Sequence, residues 1–454
     1  MPLDFNVNDD MLLRFAAENI LSFKDAVEFN TFPSSRSHNH SWHKVTCDYA
    51  IALRMSAIYG ANAAGKSNLL RCIALLKRMI GAGALADIPL REDLYFQLSD
   101  DGKNSPCELA VEFFADGHIF YYHIVFRGLE VIREELSLSG KSSDETIFIR
   151  EGNRVEVGRR FLPAEQDKQS VSAFLDGISR LLRSDMLALS FFGKYYASEL
   201  EIAKSAYDWF DRLQVIVPSM KVEALPYLLD KDPGFADLVN SIIPELSTGI
   251  SSLKVDTELI TEDDARKDAA LNAVYTAARK NPGKPLSIAS EDGEIVNLIM
   301  EGDIVYRKRV RAVHKSSDGA EIVMDMALES DGTRRLIEYM PLLYSILRSD
   351  GVFVVDEIER SIHPIMIKSI MRKISESREA RGQIIFTTHE SSLLDQNIFR
   401  PDEIWFAQKD SRQSTQLYPL SDFNIHNTAN IENGYLNGRY GGIPFLSNLK
   451  DLKW

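Results

Sequence analysis

No apolar run in these 454 residues approaches the roughly 18 that cross a bilayer, which excludes a membrane-spanning helix. A basic-then-apolar segment of the kind that directs secretion is missing from the N-terminus. Cysteine is scarce. Cys47, Cys72 and Cys107 have neither metal-ligand spacing nor a paired framework, so they read as buried or idle thiols in a reducing cytoplasm. Positive charge is in deficit, with a net charge of −14. That argues against a chain that coats nucleic acid with its whole surface, while a local basic groove stays open. Internal repeats, a disordered tail and sustained heptads are also missing, and the last of these excludes long coiled-coil arms. What remains is 45% hydrophobic and 26% charged, an ordinary globular composition whose length predicts two or three units.

Against that plain background one stretch stands out. Gly60-Ala61-Asn62-Ala63-Ala64-Gly65-Lys66-Ser67 spells G-x-x-x-x-G-K-S. The apolar run Ile51 to Tyr59 before it reads as a strand, and Asn68-Leu69-Leu70-Arg71 after it opens a helix. Strand, loop and helix in that order are the setting a phosphate-binding loop needs. The glycines let backbone N–H groups turn inward around phosphates, and the helix N-terminus adds partial positive charge. Lys66 is expected to reach the β- and γ-phosphates and Ser67 to offer a hydroxyl to Mg²⁺. A chance match is the bland alternative, and four fixed positions in the right context outweigh it. The expected ligand is a nucleoside triphosphate.

Three later elements complete the pattern. Gly351-Val352-Phe353-Val354-Val355-Asp356-Glu357 reads as a strand buried on both faces and ending in two carboxylates. Asp356 is placed to hold Mg²⁺, and Glu357 to polarise an attacking water. Gln383-Ile384-Ile385-Phe386-Thr387-Thr388-His389 is a second such strand, ending in a histidine able to hydrogen-bond a γ-phosphate. Between phosphate loop and D-E strand lies Glu329-Ser330-Asp331-Gly332-Thr333-Arg334-Arg335-Leu336. Ser330 and Gly332 start a helix with apolar positions at Leu336, Met340, Leu343 and Ile346. An N-capped helix of this kind is a second anion site, and one subunit does not need two for one nucleotide. Two subunits facing head to tail would each lend a Ser330 helix to the other.

The order GANAAGKSN, ESDGTRRL, VFVVDEIERSIHP, FTTHE resembles the ABC-type ATPases of the SMC and OLD kind. Within them it is most similar to the compact AAA-family ATPases of bacterial phage-defence and abortive-infection loci, such as RloA/AbiLii and the PARIS ATPase AriA. The opening Leu13-Arg14-Phe15 to Asn19-Ile20-Leu21-Ser22-Phe23-Lys24-Asp25 resembles the first strand and N-x-x-S-F turn of that group. The stretch from Tyr435 to Pro444, YLNGRYGGIP, resembles the ending of the RloA-type branch. The resemblance implies ATP and Mg²⁺ as cofactors, with Gly60, Asn62, Ala63, Ala64, Gly65, Lys66, Ser67 and Asn68 holding the nucleotide. It further implies that Ser330 and Gly332 form a signature loop completing the partner's site. By the same resemblance Glu357 is the catalytic glutamate, His389 the switch histidine and Ser361 the D-loop serine. His363 stands where many relatives carry aspartate. Gln97 is the one candidate for the group's metal-contacting glutamine after the first helix.

The implied fold is α/β: a P-loop NTPase of ABC-ATPase type, a mixed sheet with flanking helices, an N-terminal antiparallel β subdomain and a helical insertion. The expected segments are an N-terminal ATPase lobe over 1–160, a helical insertion over 161–285, and a C-terminal lobe over 286–454. Residues 11 to 32 read as two strands around the Ser22-Phe23-Lys24-Asp25 turn, and Glu108 to Arg159 as antiparallel hairpins with Asp116-Gly117 at a turn. Strands return at Ile295 to Ala312. His38, His40 and His43 cluster in a loop without carboxylate or cysteine support, which favours a polar loop over a metal site. Arg307, Arg309 and Arg311 share one strand face, more readily an ion-paired surface than a nucleic-acid contact.

Three functions compete. The first is an ATP-driven switch in phage defence, a homo-oligomer of head-to-tail pairs controlling a separately encoded nuclease or toxin, with cytoplasmic location and no membrane partner. The second is an SMC/RecF-like ATPase of DNA repair or chromosome maintenance, disfavoured by the missing arms and the acidic balance. The third is a self-contained nuclease. Beyond His389 the chain is too short for a Toprim domain and carries no D-x-D pair, which disfavours it.

Overall fold

A computed structural model describes residues 10–91, 93–162, 168–217, 225–246, 248–289, 295–426 and 429–443. Pro444, the last residue of the glycine-rich ending, lies outside them. The chain forms two compact units. The larger comprises Met1–Pro218, Arg348–Ile358 and Lys368–Trp454, and the smaller Ser219–Leu347 and Glu359–Ile367. Among the described residues, no helix is long and apolar enough to cross a membrane.

The larger unit holds a six-stranded sheet in the order Gln214–Ile216, Val352–Val355, Gln383–Thr387, Met55–Tyr59, Ile404–Lys409, Thr415–Pro419. Its first five strands run parallel and the last is antiparallel. The D-E strand and the histidine strand are buried at every position, as uninterrupted β-branched runs require when both faces are covered. A seven-stranded antiparallel sheet runs Arg154–Val157, Glu145–Glu151, Glu130–Leu138, His118–Arg127, Cys107–Ala115, Met11–Glu18, Val27–Asn30. These are the expected N-terminal strands and hairpins. The helix Lys66–Ala82 buries leucine, isoleucine and methionine side chains around much of its circumference. It shares one core with Phe113 and Tyr122 of the antiparallel sheet and with Val354 and Ile385 of the parallel one. A helix apolar on so many sides belongs inside a unit.

Ile51 to Tyr59 is not one strand. Ala50–Leu53 pairs with Lys44–Cys47 in a small ribbon, and Met55–Tyr59 enters the parallel sheet. Between them Arg54 is buried, and its guanidinium donates to the carbonyls of Ser377, at 3.1 Å, and of Ala380. Burial pushes its pKa down to about 10. The histidine loop is structural: His43 Nδ1 lies 2.8 Å from Glu403 and His40 Nε2 2.8 Å from the Gln396 carbonyl.

The stretch 161–285, expected as one helical insertion, is divided between the units. Its helices Ala188–Tyr195 and Glu201–Arg212 bury Phe192, Trp209 and Phe210 in the larger unit's core. Gln214–Ile216 then adds a strand beside the D-E strand. The remainder builds the smaller unit. There the long strand Ile304–Lys315 pairs with Ile250–Ile260 along one edge, and with Ile295–Glu301 and then Glu321–Asp325 along the other. Leu286–Ala289 completes that sheet. Arg307, Arg309 and Arg311 do share a face, and acidic neighbours meet each of them. Arg307 pairs with Glu258, Arg309 with Asp256 at 3.3 Å, and Arg311 with Asp325. The expected helix from Asp331 is two, Asp331–Glu338 and Met340–Arg348. Pro341 has no N–H to continue the first ladder and suits the opening turn of the second.

Candidate functional site

The larger unit's site begins where Met55–Tyr59 ends. Its loop winds to Gly65, whose left-handed φ of 109° turns the chain into the helix Lys66–Ala82. A Cβ at Gly65 would run into the Thr415 side chain, so this position needs glycine for space as well as for φ. Thr415 is the loop's support: its hydroxyl lies 2.9 Å from the Ala64 carbonyl and 2.8 Å from Ser22 Oγ. The Ser22 turn therefore braces the loop from below. Lys66 is buried, and its ammonium donates to the Gly60 and Ala61 carbonyls at 2.7 and 3.2 Å and lies 3.4 Å from His389 Nδ1.

Parallel pairing brings the D-E strand's end to the helix N-terminus. Ser67 Oγ donates to Asp356 Oδ1 at 2.9 Å. Thr387 Oγ1 donates to the same oxygen at 2.6 Å and accepts the Glu357 N–H at 2.8 Å. One buried hydroxyl thus fixes both carboxylate-bearing residues. Glu357 holds φ at 50°, a left-handed conformation that costs a non-glycine residue about 1–3 kcal/mol and clusters at working sites. Asn62, Ala63, Ala64, Gly65, Lys66, Ser67, Asn68, Glu357 and His389 line a cleft of about 560 Å³, together with Arg71. Gln97 is not among them: its amide donates to the Asp93 carboxylate and carbonyl at 2.8 and 3.0 Å.

In the smaller unit Ser330 is the N-cap of Asp331–Glu338, its hydroxyl accepting the Thr333 N–H at 3.1 Å. A Cβ on Gly332 would lie 2.7 Å from the Ser361 carbonyl, so glycine is what lets the segments carrying Gly332 and Ser361 touch. Ser361 itself holds φ at 62°. His363 Nδ1 accepts the Ile365 N–H at 3.3 Å.

Sequence reasoning missed Thr387, Thr415 and Arg71. The available signals were a hydroxyl two residues before the histidine, a threonine opening a strand, and a cation one turn into the phosphate-loop helix.

A mostly parallel sheet with a glycine-bounded phosphate loop on one strand and paired carboxylates at the end of a nearby strand defines an α/β P-loop NTPase fold. The chain belongs to the family described as "AAA domain, putative AbiEii toxin, Type IV TA system", whose model matches residues 55–395. No curated protein matches the chain. Among solved structures it is similar to the Smc head bound to the C-terminal winged-helix domain of ScpA, with 13% identity, TM-score 0.42, and 90% of this chain and 97% of that one covered. The SMC head domain from Thermotoga maritima is similar at 11% identity and TM-score 0.37, with coverage of 91% and 99%. A Pyrococcus furiosus Smc head with an extended coiled coil, bound to the C-terminal domain of ScpA, gives 13%, 0.37, 90% and 96%. At these scores the likenesses carry no argument; strand order, site and family carry the fold.

Proposed function

We propose that this chain binds and hydrolyses ATP with Mg²⁺ and works as the switch subunit of a phage-defence system, controlling a separately encoded effector. The observation that supports the chemistry best is the hydrogen-bonded group Ser67–Asp356–Thr387–Glu357 at the N-terminus of the phosphate-loop helix. Loop N–H groups and Lys66 hold the β- and γ-phosphates. Ser67 Oγ and Asp356 Oδ1 are hard oxygen donors close together, which suits a small divalent cation that also keeps phosphate and water. Mg²⁺ bound there supplies charge neutralisation on the phosphates. Glu357, held by its backbone to Thr387, polarises the attacking water, and His389 beside Lys66 senses the γ-phosphate.

In this reading Ser330, Gly332 and Ser361 complete the site of a second copy, head to tail. ATP closure of such a pair changes the surface offered to a partner by favouring one of two arrangements. The family's description as a toxin of a toxin–antitoxin system supports a two-component arrangement. Co-expression with the product of the neighbouring open reading frame tests it. ATP-dependent co-purification of a nuclease or toxin is the expected result; co-purification with repair proteins and DNA instead would favour the SMC/RecF-like reading.

A further inference from the structure

The glycine-rich ending Tyr435–Ile443 has no part in the reading above, yet it is firmly placed in the larger unit. Tyr435 and Tyr440 stack on Phe406 with ring centroids 5.5 and 6.1 Å apart. Tyr418 Oη lies 2.8 Å from the Tyr440 carbonyl and shares its one proton between that oxygen and Gln408 Oε1, and Tyr435 Oη donates to the Gly442 carbonyl at 3.1 Å. Gln408 Oε1 accepts the Gly442 N–H at 3.2 Å and lies 2.9 Å from the Tyr418 hydroxyl. Gly442 holds φ at 68°, and even a Cβ added there would stand 3.7 Å from the Cα of Gly60, the first glycine of the phosphate loop. The segment is therefore pinned by the strand Ile404–Lys409 and reaches the base of the loop.

It arrives there as the wall of a second cleft, of about 600 Å³. This cleft shares Asn62, Ala63 and Ala64 with the phosphate cleft. Its other walls are Leu98, Ala407, the turn carrying Lys409 and Gln413, and Gly442 with Ile443. Leu98 is 69% exposed, a large apolar side chain with a face left uncovered.

We infer that this second cleft holds the nucleoside end of the triphosphate whose phosphates lie in the loop, with the C-terminal glycine-rich segment as its far wall. The inference rests on the nucleotide reading proposed above. A ligand anchored by phosphates on one side of Asn62–Ala64 has its base and ribose to place next to those residues. Alanine, leucine and isoleucine side chains suit the faces of a planar base, and the amides of Gln408 and Gln413 with the Lys409 ammonium suit its edge and the ribose hydroxyls. Such a mixture, mostly apolar with a few directed polar groups, is typical of small-molecule sites of this volume. The segment would then help decide which nucleoside is accepted.

The test compares MgATP with magnesium tripolyphosphate, which has no base, by calorimetry on the full chain. A Leu98→Ala/Ile443→Ala double variant should weaken ATP by about tenfold, the factor for a modest loss of apolar contact, and leave tripolyphosphate unchanged. Its ATP-to-GTP preference should shift, and an unchanged melting temperature confirms that the variant is folded. Lys66→Ala should weaken both ligands. Unchanged ATP binding in the double variant, or an equal loss for both ligands, overturns the nucleoside assignment, as does wild-type protein that holds ATP no more tightly than tripolyphosphate. Wild-type protein that binds neither ligand sinks the phosphate-loop reading itself.

Discussion

Ser67 and Asp356, 289 positions apart in the chain, meet through a 2.9 Å hydrogen bond at the start of the phosphate-loop helix. Two motifs recognised separately in the sequence are thereby one site. A hydroxyl and a carboxylate in contact at a helix N-terminus create a place where anion and cation are bound side by side.

Lys66→Ala should abolish ATP binding. The ammonium is buried at the loop, donating to the Gly60 and Ala61 carbonyls, and its loss takes away the charge expected on the β- and γ-phosphates. Calorimetry with MgATP checks this, and wild-type affinity in the variant removes the assignment. The backbone cradle should keep some ADP binding, which makes ATP the nucleotide to use.

Glu357→Gln should bind ATP and Mg²⁺ normally and hydrolyse slowly. An amide does not accept a proton from water as a carboxylate does, and losses on the order of 10²–10⁴ are typical for such groups. Single-turnover kinetics separates the chemical step from binding. Wild-type turnover in the variant would show that another group polarises the water.

Thr387→Val keeps the side-chain shape and removes the hydroxyl that joins Asp356 to the Glu357 backbone. It leaves the partly buried Glu357 N–H without its acceptor, a cost of about 1 kcal/mol in stability. With Glu357 less firmly placed, kcat should fall while ATP affinity changes little. Denaturant unfolding and steady-state kinetics on one preparation check both halves, and an unchanged kcat contradicts the positioning role.

The parts legible in the sequence were those written contiguously. Gly60 to Ser67 carries its own geometry, and uninterrupted apolar runs announced the strands ending at Asp356 and near His389. The supports were illegible because their partners are distant. Thr415 meets Ala64 across 351 positions and Thr387 meets Asp356 across 31, and the local signals at these threonines do not say which partner each meets. Gln214–Ile216 is too short to show a period. Ile250–Ile260 alternates with charges that answer arginines on the next strand, and without that strand in view its polarity hid it. Gln97 was chosen as the one candidate for a glutamine after the first helix, and its amide hydrogen-bonds the neighbouring Asp93. The left-handed backbone at Glu357 has no signature in composition.

The most direct test of a composite ATP site uses Gly332→Asp. The substitution sets a carboxylate where the Ser361 carbonyl already approaches, and it belongs to the smaller unit, whereas the phosphate loop belongs to the larger. Alone, the variant should bind ATP with near-normal affinity and fail to hydrolyse it. Mixed with Lys66→Ala, itself inactive, it should regain a fraction of wild-type turnover, because one site in each mixed pair then joins an intact phosphate loop to an intact signature segment. Restored ATPase activity in the mixture is the predicted result. Full turnover by wild-type protein that stays monomeric at every concentration would contradict the account.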